Sequence, residues 1–117
     1  MINIICPSRY KITRPVIKKY AEEALSGYEW PSEMTVNVIF VGKIKMRSIA
    51  KAYKQEDVAL PVLTFHYDKN LDTNTEEVGE IFICYPQAVL LAAEREKTVN
   101  QIMEFLISHA VDNLLKK

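Results

Sequence analysis

The stretch that most constrains the fold is the C-terminal segment, residues 98–116. Thr98 begins it as a helix cap, because Gln101 stands three residues later, where the partner in a capping box belongs. A surface helix carries one apolar stripe, whereas this segment is apolar on most sides. Its apolar residues are Val99, Ile102, Met103, Phe105, Leu106, Ile107, Ala110, Val111, Leu114 and Leu115. We therefore expect a helix that packs centrally against the other elements.

Strand and helix patterns alternate along the rest of the chain. Short apolar or alternating runs predict strands at residues 2–6, 34–41, 62–67 and 78–84. Apolar residues at helical spacing predict helices from about residue 14 to Gly27, at 43–54 and at 86–94. The polar stretch 68–75 predicts a long loop that joins two strands of an antiparallel hairpin.

The order β-α-β-α-β-β-α-α predicts an α+β fold with one small mixed sheet of about four strands packed by helices. A chain of 117 residues has room for one domain, which we place at residues 1–117. The apolar face of the second helix is predicted to comprise Met46, Ile49, Ala50 and Tyr53.

The composition predicts a globular, cytoplasmic protein with no membrane partner. Hydrophobic residues make up 49% and charged residues 26% of the chain, which are ordinary globular values. No run approaches the roughly 18 apolar residues of a membrane span, and the start lacks the pattern of a signal peptide. Cys6 and Cys84 end strand-like runs, so we interpret them as small buried residues in a reducing compartment.

Basic residues concentrate in the first half of the chain. Residues 1–54 contain ten Lys or Arg and four Asp or Glu, whereas the remainder contains five and eleven. On the second helix four basic residues fall within an arc of about 80°. They are Lys43, Arg47, Lys51 and Lys54. A solvated helix face is the alternative, but the helix offers them no acidic partner at i+4, so we expect contact with nucleic-acid phosphates.

From the residues alone, the two histidines neither establish nor exclude a metal site. A lone histidine such as His109 on a buried helix is more often a core residue than a ligand. Asn113 occupies the i+4 position, where a zinc site would need a second histidine. His66 ends the third strand and would approach His109 only if that strand adjoins the last helix.

Four blocks of the sequence resemble the YbeY family in order and spacing. Residues 46–54 resemble the family pattern MRxLNxxYR, and 60–65 resemble TDVLSF. Residues 78–83 resemble LGDIxI, and 108–115 resemble the start of HGxLHLLGYDH. The resemblance implies a single-strand-specific, metal-dependent endoribonuclease in ribosomal RNA maturation and ribosome quality control. It also implies ribosomal RNA or the small ribosomal subunit as the partner, and no DNA.

The resemblance implies a zinc ion held by three histidines and an active-site arginine on the second helix. His109 matches the first histidine, Asn113 stands at the second, and the third would fall beyond Lys117. Lys54 occupies the position of the family's catalytic arginine. It keeps the positive charge but lacks the bidentate fork of a guanidinium.

Two hypotheses follow for the function. In the first, the chain is a metal-dependent endoribonuclease that uses His109, His66 and ligands from outside the motif. In the second, it is a non-catalytic RNA- or ribosome-binding module that keeps the fold and the basic helix. Because two of the three family histidines are absent, we expect that the chain does not hold zinc in the family manner. A hydrolase of other substrates is a distant third.

Overall fold

The computed structural model of the chain describes residues 1–29, 34–71 and 74–115. Within these ranges the elements follow the predicted order, which confirms the expected α+β class. They are β1 Ile2–Ile5, α1 Arg14–Leu25, β2 Thr35–Val41, α2 Lys43–Lys54, β3 Val62–Leu71, β4 Asn74–Cys84, α3 Tyr85–Glu94 and α4 Val99–Leu115. Residue 116, the predicted end of the last helix, lies outside the described residues.

One mixed sheet joins the four strands in the order β1-β2-β4-β3. Helices connect β1 to β2 and separate β2 from the following hairpin, so β1, β2 and β4 run parallel. The hairpin adds β3 as an antiparallel edge strand beside β4. The mixed sheet was predicted from the order of elements, and the structure confirms it.

The predicted loop at residues 68–75 is wrong over most of its length. The hairpin ladder continues to the pair Leu71 and Asn74, and only residues 72 and 73 fall outside the described part of this segment. An antiparallel ladder satisfies backbone hydrogen bonds whatever the side chains are, and such a sheet can face water. Polar composition therefore did not distinguish a solvated hairpin from a loop.

The main core lies on the sheet face that packs against α1, α3 and α4. From the sheet it receives Val36, Val38, Phe40, Ile81 and Ile83, each buried. Helix α4 contributes Ile102, Met103, Leu106, Ile107, Ala110, Val111 and Leu114. This confirms the central packing that was predicted for the last helix.

Gly79 of β4 lets α4 approach the sheet closely. A Cβ at this position would lie 2.6 Å from Leu114 Cδ2 and 3.0 Å from Met34 Cε. A larger residue would therefore force the Leu114 and Met34 side chains to move.

Of the described helices, only α2 packs on the opposite face of the sheet. Its buried residues Met46 and Ala50 form a smaller core with Val41, Leu63 and Cys84. A helix is about 10 Å wide, whereas four strands spaced at about 4.8 Å span more than that. One helix therefore leaves part of this face uncovered.

The predicted apolar face of α2 is confirmed for the first two turns of the helix and is wrong at its C-terminal end. Met46 and Ala50 are fully buried and Ile49 is half-buried, but Tyr53 is 70% exposed. Tyr53 lies in the last turn of α2, beside the uncovered part of the sheet.

Both cysteines are unpaired, and the predicted burial is confirmed for Cys84 but is only partial for Cys6. Cys84 is buried and Cys6 is half-buried, and burial raises the pKa of both thiols. Among the described helices, none has both the length and the apolarity needed to cross a membrane.

Candidate functional site

The four basic residues predicted to meet RNA all lie exposed on α2. We call Lys43, Arg47, Lys51 and Lys54 the basic stripe. The helix follows Gly42, whose backbone is extended, and ends at Gln55, which adopts a left-handed conformation with φ of 57°. Lys51 and Lys54 belong to the last turn, where the helix dipole favours positive charge.

Arg47 has an acidic partner, which corrects the expectation of an unopposed stripe. Its Nε lies 2.7 Å from Asp57 Oδ1 and its Nη2 lies 3.2 Å from Asp57 Oδ2. The left-handed turn at Gln55 brings the chain back along α2, so the acid comes from the following loop. Helical spacing cannot indicate a partner of this kind. Lys43, Lys51 and Lys54 remain the more available cations of the stripe.

The Arg47–Asp57 pair predicts a measurable shift in titration. The hydrogen bonds from Arg47 lower the pKa of Asp57, and the charges of Arg47 and Lys51 act in the same direction. Because the pKa of Asp57 is depressed in the folded state, the pair contributes its full stabilisation at pH values above the ordinary pKa of Asp. This contribution is lost as the pH falls through the folded-state pKa of Asp57.

NMR titration of the Asp57 carboxyl carbon is therefore expected to show a midpoint below that of an unpaired aspartate. In Arg47→Gln the midpoint should rise toward the ordinary value. The matched control is Lys51→Gln, which removes a neighbouring charge without removing a hydrogen bond and should raise the midpoint less. An Asp57 midpoint that is equal in the wild type and in Arg47→Gln would contradict the pairing.

Lys54 and His109 lie on helices that pack on opposite faces of the sheet. His109 is exposed, and its ring stacks on Phe105 with a centroid distance of 6.2 Å and an interplanar angle of 12°. Asn113, four residues later, is also exposed and lies about 40° around the helix from His109. His109 is thus not a core residue, although it sits on the central helix.

The other side chains near these positions that could bind a metal already have partners within the protein. His66 is opposite Gly79 in the ladder, and its Nε2 lies 3.5 Å from Glu77 Oε2, an ion pair when His66 is protonated. Asp112 accepts a hydrogen bond from the Tyr28 hydroxyl, and this bond raises the pKa of Tyr28.

The side chains available as metal ligands do not fit the zinc site that the resemblance implies. In the ranges 1–29, 34–71 and 74–115, no three His, Cys, Asp or Glu side chains are grouped so that they could hold a metal ion. A tight zinc site needs three or four such ligands in tetrahedral array. Asn113 offers only a neutral amide oxygen, which suits harder cations better.

A feature that sequence reasoning missed is a cleft of about 500 Å³ on the α2 face of the sheet. We call it the aromatic groove. It is lined by Lys45, Ile49, Tyr53, Phe65, Tyr67, Glu80 and Phe82. The signal in the sequence was the alternation of Leu63, Phe65 and Tyr67, which places three large side chains on one face of an edge strand.

The comparisons with known proteins agree with the resemblance. A sequence model of the family described as Endoribonuclease YbeY matches residues 7–115. An Endoribonuclease YbeY from Janthinobacterium sp. is 32% identical over 100 residues, covering 86% of this chain and 62% of that protein. One from Dehalococcoides mccartyi strain CBDB1 is 28% identical, covering 97% of this chain and 78% of that protein.

A solved structure supports the fold. The solution structure of TM1509 from Thermotoga maritima superposes with a TM-score of 0.60 at 20% sequence identity, covering 95% of this chain and 69% of that one. The family model spans nearly the whole chain, and the predicted motifs fall within the matched range. The chain therefore belongs to the YbeY family.

Proposed function

We propose that this chain acts in the maturation of ribosomal RNA in the cytoplasm, and that it binds single-stranded RNA through α2. The family match supports this, because its relatives are named endoribonucleases, enzymes whose substrate is RNA. The observation that carries the binding role is the basic stripe, in which Lys43, Lys51 and Lys54 are exposed on one side of α2. A segment of the small ribosomal subunit is the proposed target.

Local charge, not net charge, provides the attraction. The chain has no net charge at pH 7, so a phosphate backbone is not drawn to the molecule as a whole. Three exposed lysines on one helix create a local positive field, and each phosphate that they neutralise releases a condensed counterion. The affinity should therefore fall as salt rises.

The test is the salt dependence of binding to a single-stranded RNA. Each lost phosphate contact is expected to make the log–log slope shallower by about 0.7, the value for single strands. Lys51→Gln with Lys54→Gln should therefore shallow the slope by about 1.4 and weaken binding of all sequences alike. Fluorescence anisotropy with a labelled oligonucleotide, from low to physiological salt, gives the slopes.

Lys97→Gln is the matched control, because Lys97 is an exposed lysine between α3 and α4. It should leave the slope unchanged. Equal slopes for the wild type and the Lys51, Lys54 double variant would contradict the proposal that the basic stripe meets phosphate.

A metal-dependent endoribonuclease is the second candidate, and the match to the Endoribonuclease YbeY family favours it. In that role Lys54 would stabilise negative charge on the substrate, although an ammonium lacks the bidentate fork of the family arginine. His109 would be the metal ligand, with His66 and Asn113 as neighbours. The described donors fit zinc poorly, so we propose RNA binding as the primary role.

A further inference from the structure

The aromatic groove is open because none of the described helices covers β3 beyond Leu63 on the α2 face. Helix α2 packs over β2, β4 and the start of β3, whereas α1, α3 and α4 all pack on the other face. Phe65 and Tyr67 of β3 therefore point into the space beside α2. Tyr53 closes the groove from the helix side and is 70% exposed, while Tyr67 is 40% exposed.

The aromatic rings are arranged edge to face, which leaves ring surfaces accessible. Tyr53 and Phe65 have a centroid distance of 5.2 Å and an interplanar angle of 70°. Phe65 and Phe82 have a centroid distance of 5.7 Å and an angle of 84°. A flat aromatic ligand can add to such a cluster by stacking, because each ring of an edge-to-face pair keeps at least one face free of its partner.

We propose that the aromatic groove binds an unstacked base of the single-stranded RNA that the basic stripe holds by its phosphates. This inference rests on the proposed function and names a second contact for the same RNA. Lys45 lines the groove and provides a positive charge for the phosphate of the bound nucleotide. Glu80 provides carboxylate oxygens that accept hydrogen bonds from an exocyclic amino group of the base.

The groove and the basic stripe flank opposite sides of α2. By helical geometry, Lys45, Ile49 and Tyr53 lie on one side and the stripe lies on the other. The exposed crest between them carries Ser48 and Ala52, whose side chains are small, and, nearer the start of the helix, Ile44, which is 88% exposed. A single strand can cross α2 over Ser48 and Ala52, with its phosphates at the stripe and one base in the groove.

The polar and charged side chains that line the groove favour a ligand with a polar edge. Burial, followed by the hydrogen bond and charge of Glu80, raises the pKa of Tyr67. Tyr67 thus keeps its proton at neutral pH and provides a hydroxyl at the groove wall. A purely apolar peptide would offer no matching group to the Lys45 ammonium, and Glu80, which already accepts a hydrogen bond from Tyr67, has a second carboxylate oxygen for a polar ligand.

The test compares a 10-nucleotide RNA with an abasic ribose-phosphate oligomer of equal length. We expect Tyr53→Leu to weaken RNA binding by about 5-fold to about 150-fold, the range for loss of one base–aromatic stack. Tyr53→Phe retains the ring and should bind as the wild type does. All three proteins should bind the abasic oligomer equally. Because Tyr53 is exposed, neither substitution is expected to unfold the protein.

The outcomes separate this inference from the proposed function. If the wild type binds RNA and the abasic oligomer equally, or if Tyr53→Leu does not change the affinity for RNA, the groove does not bind a base. The proposal that the basic stripe binds phosphate is unaffected by either result. If neither oligomer binds, both proposals fail. Concentration-dependent dimerisation that Tyr53→Leu abolishes would identify a second copy of the chain as the occupant and would overturn the inference.

Discussion

Phe40→Ala is expected to lower the free energy of unfolding by about 3–5 kcal/mol, the usual cost of truncating a buried phenylalanine. Phe40 is 2% exposed and lies in the main core, between the sheet and the helices. The truncation removes its buried area and leaves a cavity that the packed neighbours can only partly fill. Because small domains are stable by about 5–15 kcal/mol, this change removes a large share of the total. Urea unfolding followed by circular dichroism measures the difference.

Phe105→Ala is the matched control, since it makes the same chemical change at a residue that is 49% exposed on α4. We expect it to cost less than about 1 kcal/mol. If Phe40→Ala does not fold, Phe40→Leu gives a milder test with an expected cost of about 1–1.5 kcal/mol. A loss at Phe40 no greater than the loss at Phe105 would contradict the position of the core.

The fold was predictable because its signals are local or periodic. The alternation in β2 and the helical spacing in α2 report directly which side of each element is buried. The central position of α4 follows from its apolar residues on most sides, and the structure buries seven of them. The hairpin ladder at residues 68–71 and 74–75 was not predictable in this way, because backbone pairing forms it and the polar sequence carries no apolar alternation.

The site was predictable in part. The basic stripe could be read from residue spacing, whereas the partner of Arg47 depends on a left-handed turn at Gln55 that brings Asp57 back to the helix. The aromatic groove depends on how many strands one helix can cover, a tertiary property that no single segment encodes. Tyr53 was therefore assigned to the buried face of α2, although the structure leaves it largely exposed.

Asn113→His is expected to tighten zinc binding by at least about tenfold, which equals about 1.4 kcal/mol. In the wild type His109 is the one histidine on α4, and Asn113 offers a neutral amide on the same exposed face. A second imidazole one turn away gives zinc two nitrogen ligands from one helix, as the family pattern has. Isothermal titration at pH 7.5 measures the change, because zinc binds the neutral form of imidazole.

Asn113→Gln is the matched control, because it changes the same exposed position and keeps a neutral amide. It should bind zinc no more tightly than the wild type does. With one imidazole on that face, the wild-type chain is expected to retain no zinc through dialysis. Without a bound metal no water is activated, so ribonuclease turnover at neutral pH should be negligible. Stoichiometric zinc that survives dialysis and is lost in His109→Ala would overturn this, as would RNA cleavage by the wild type that a chelator abolishes.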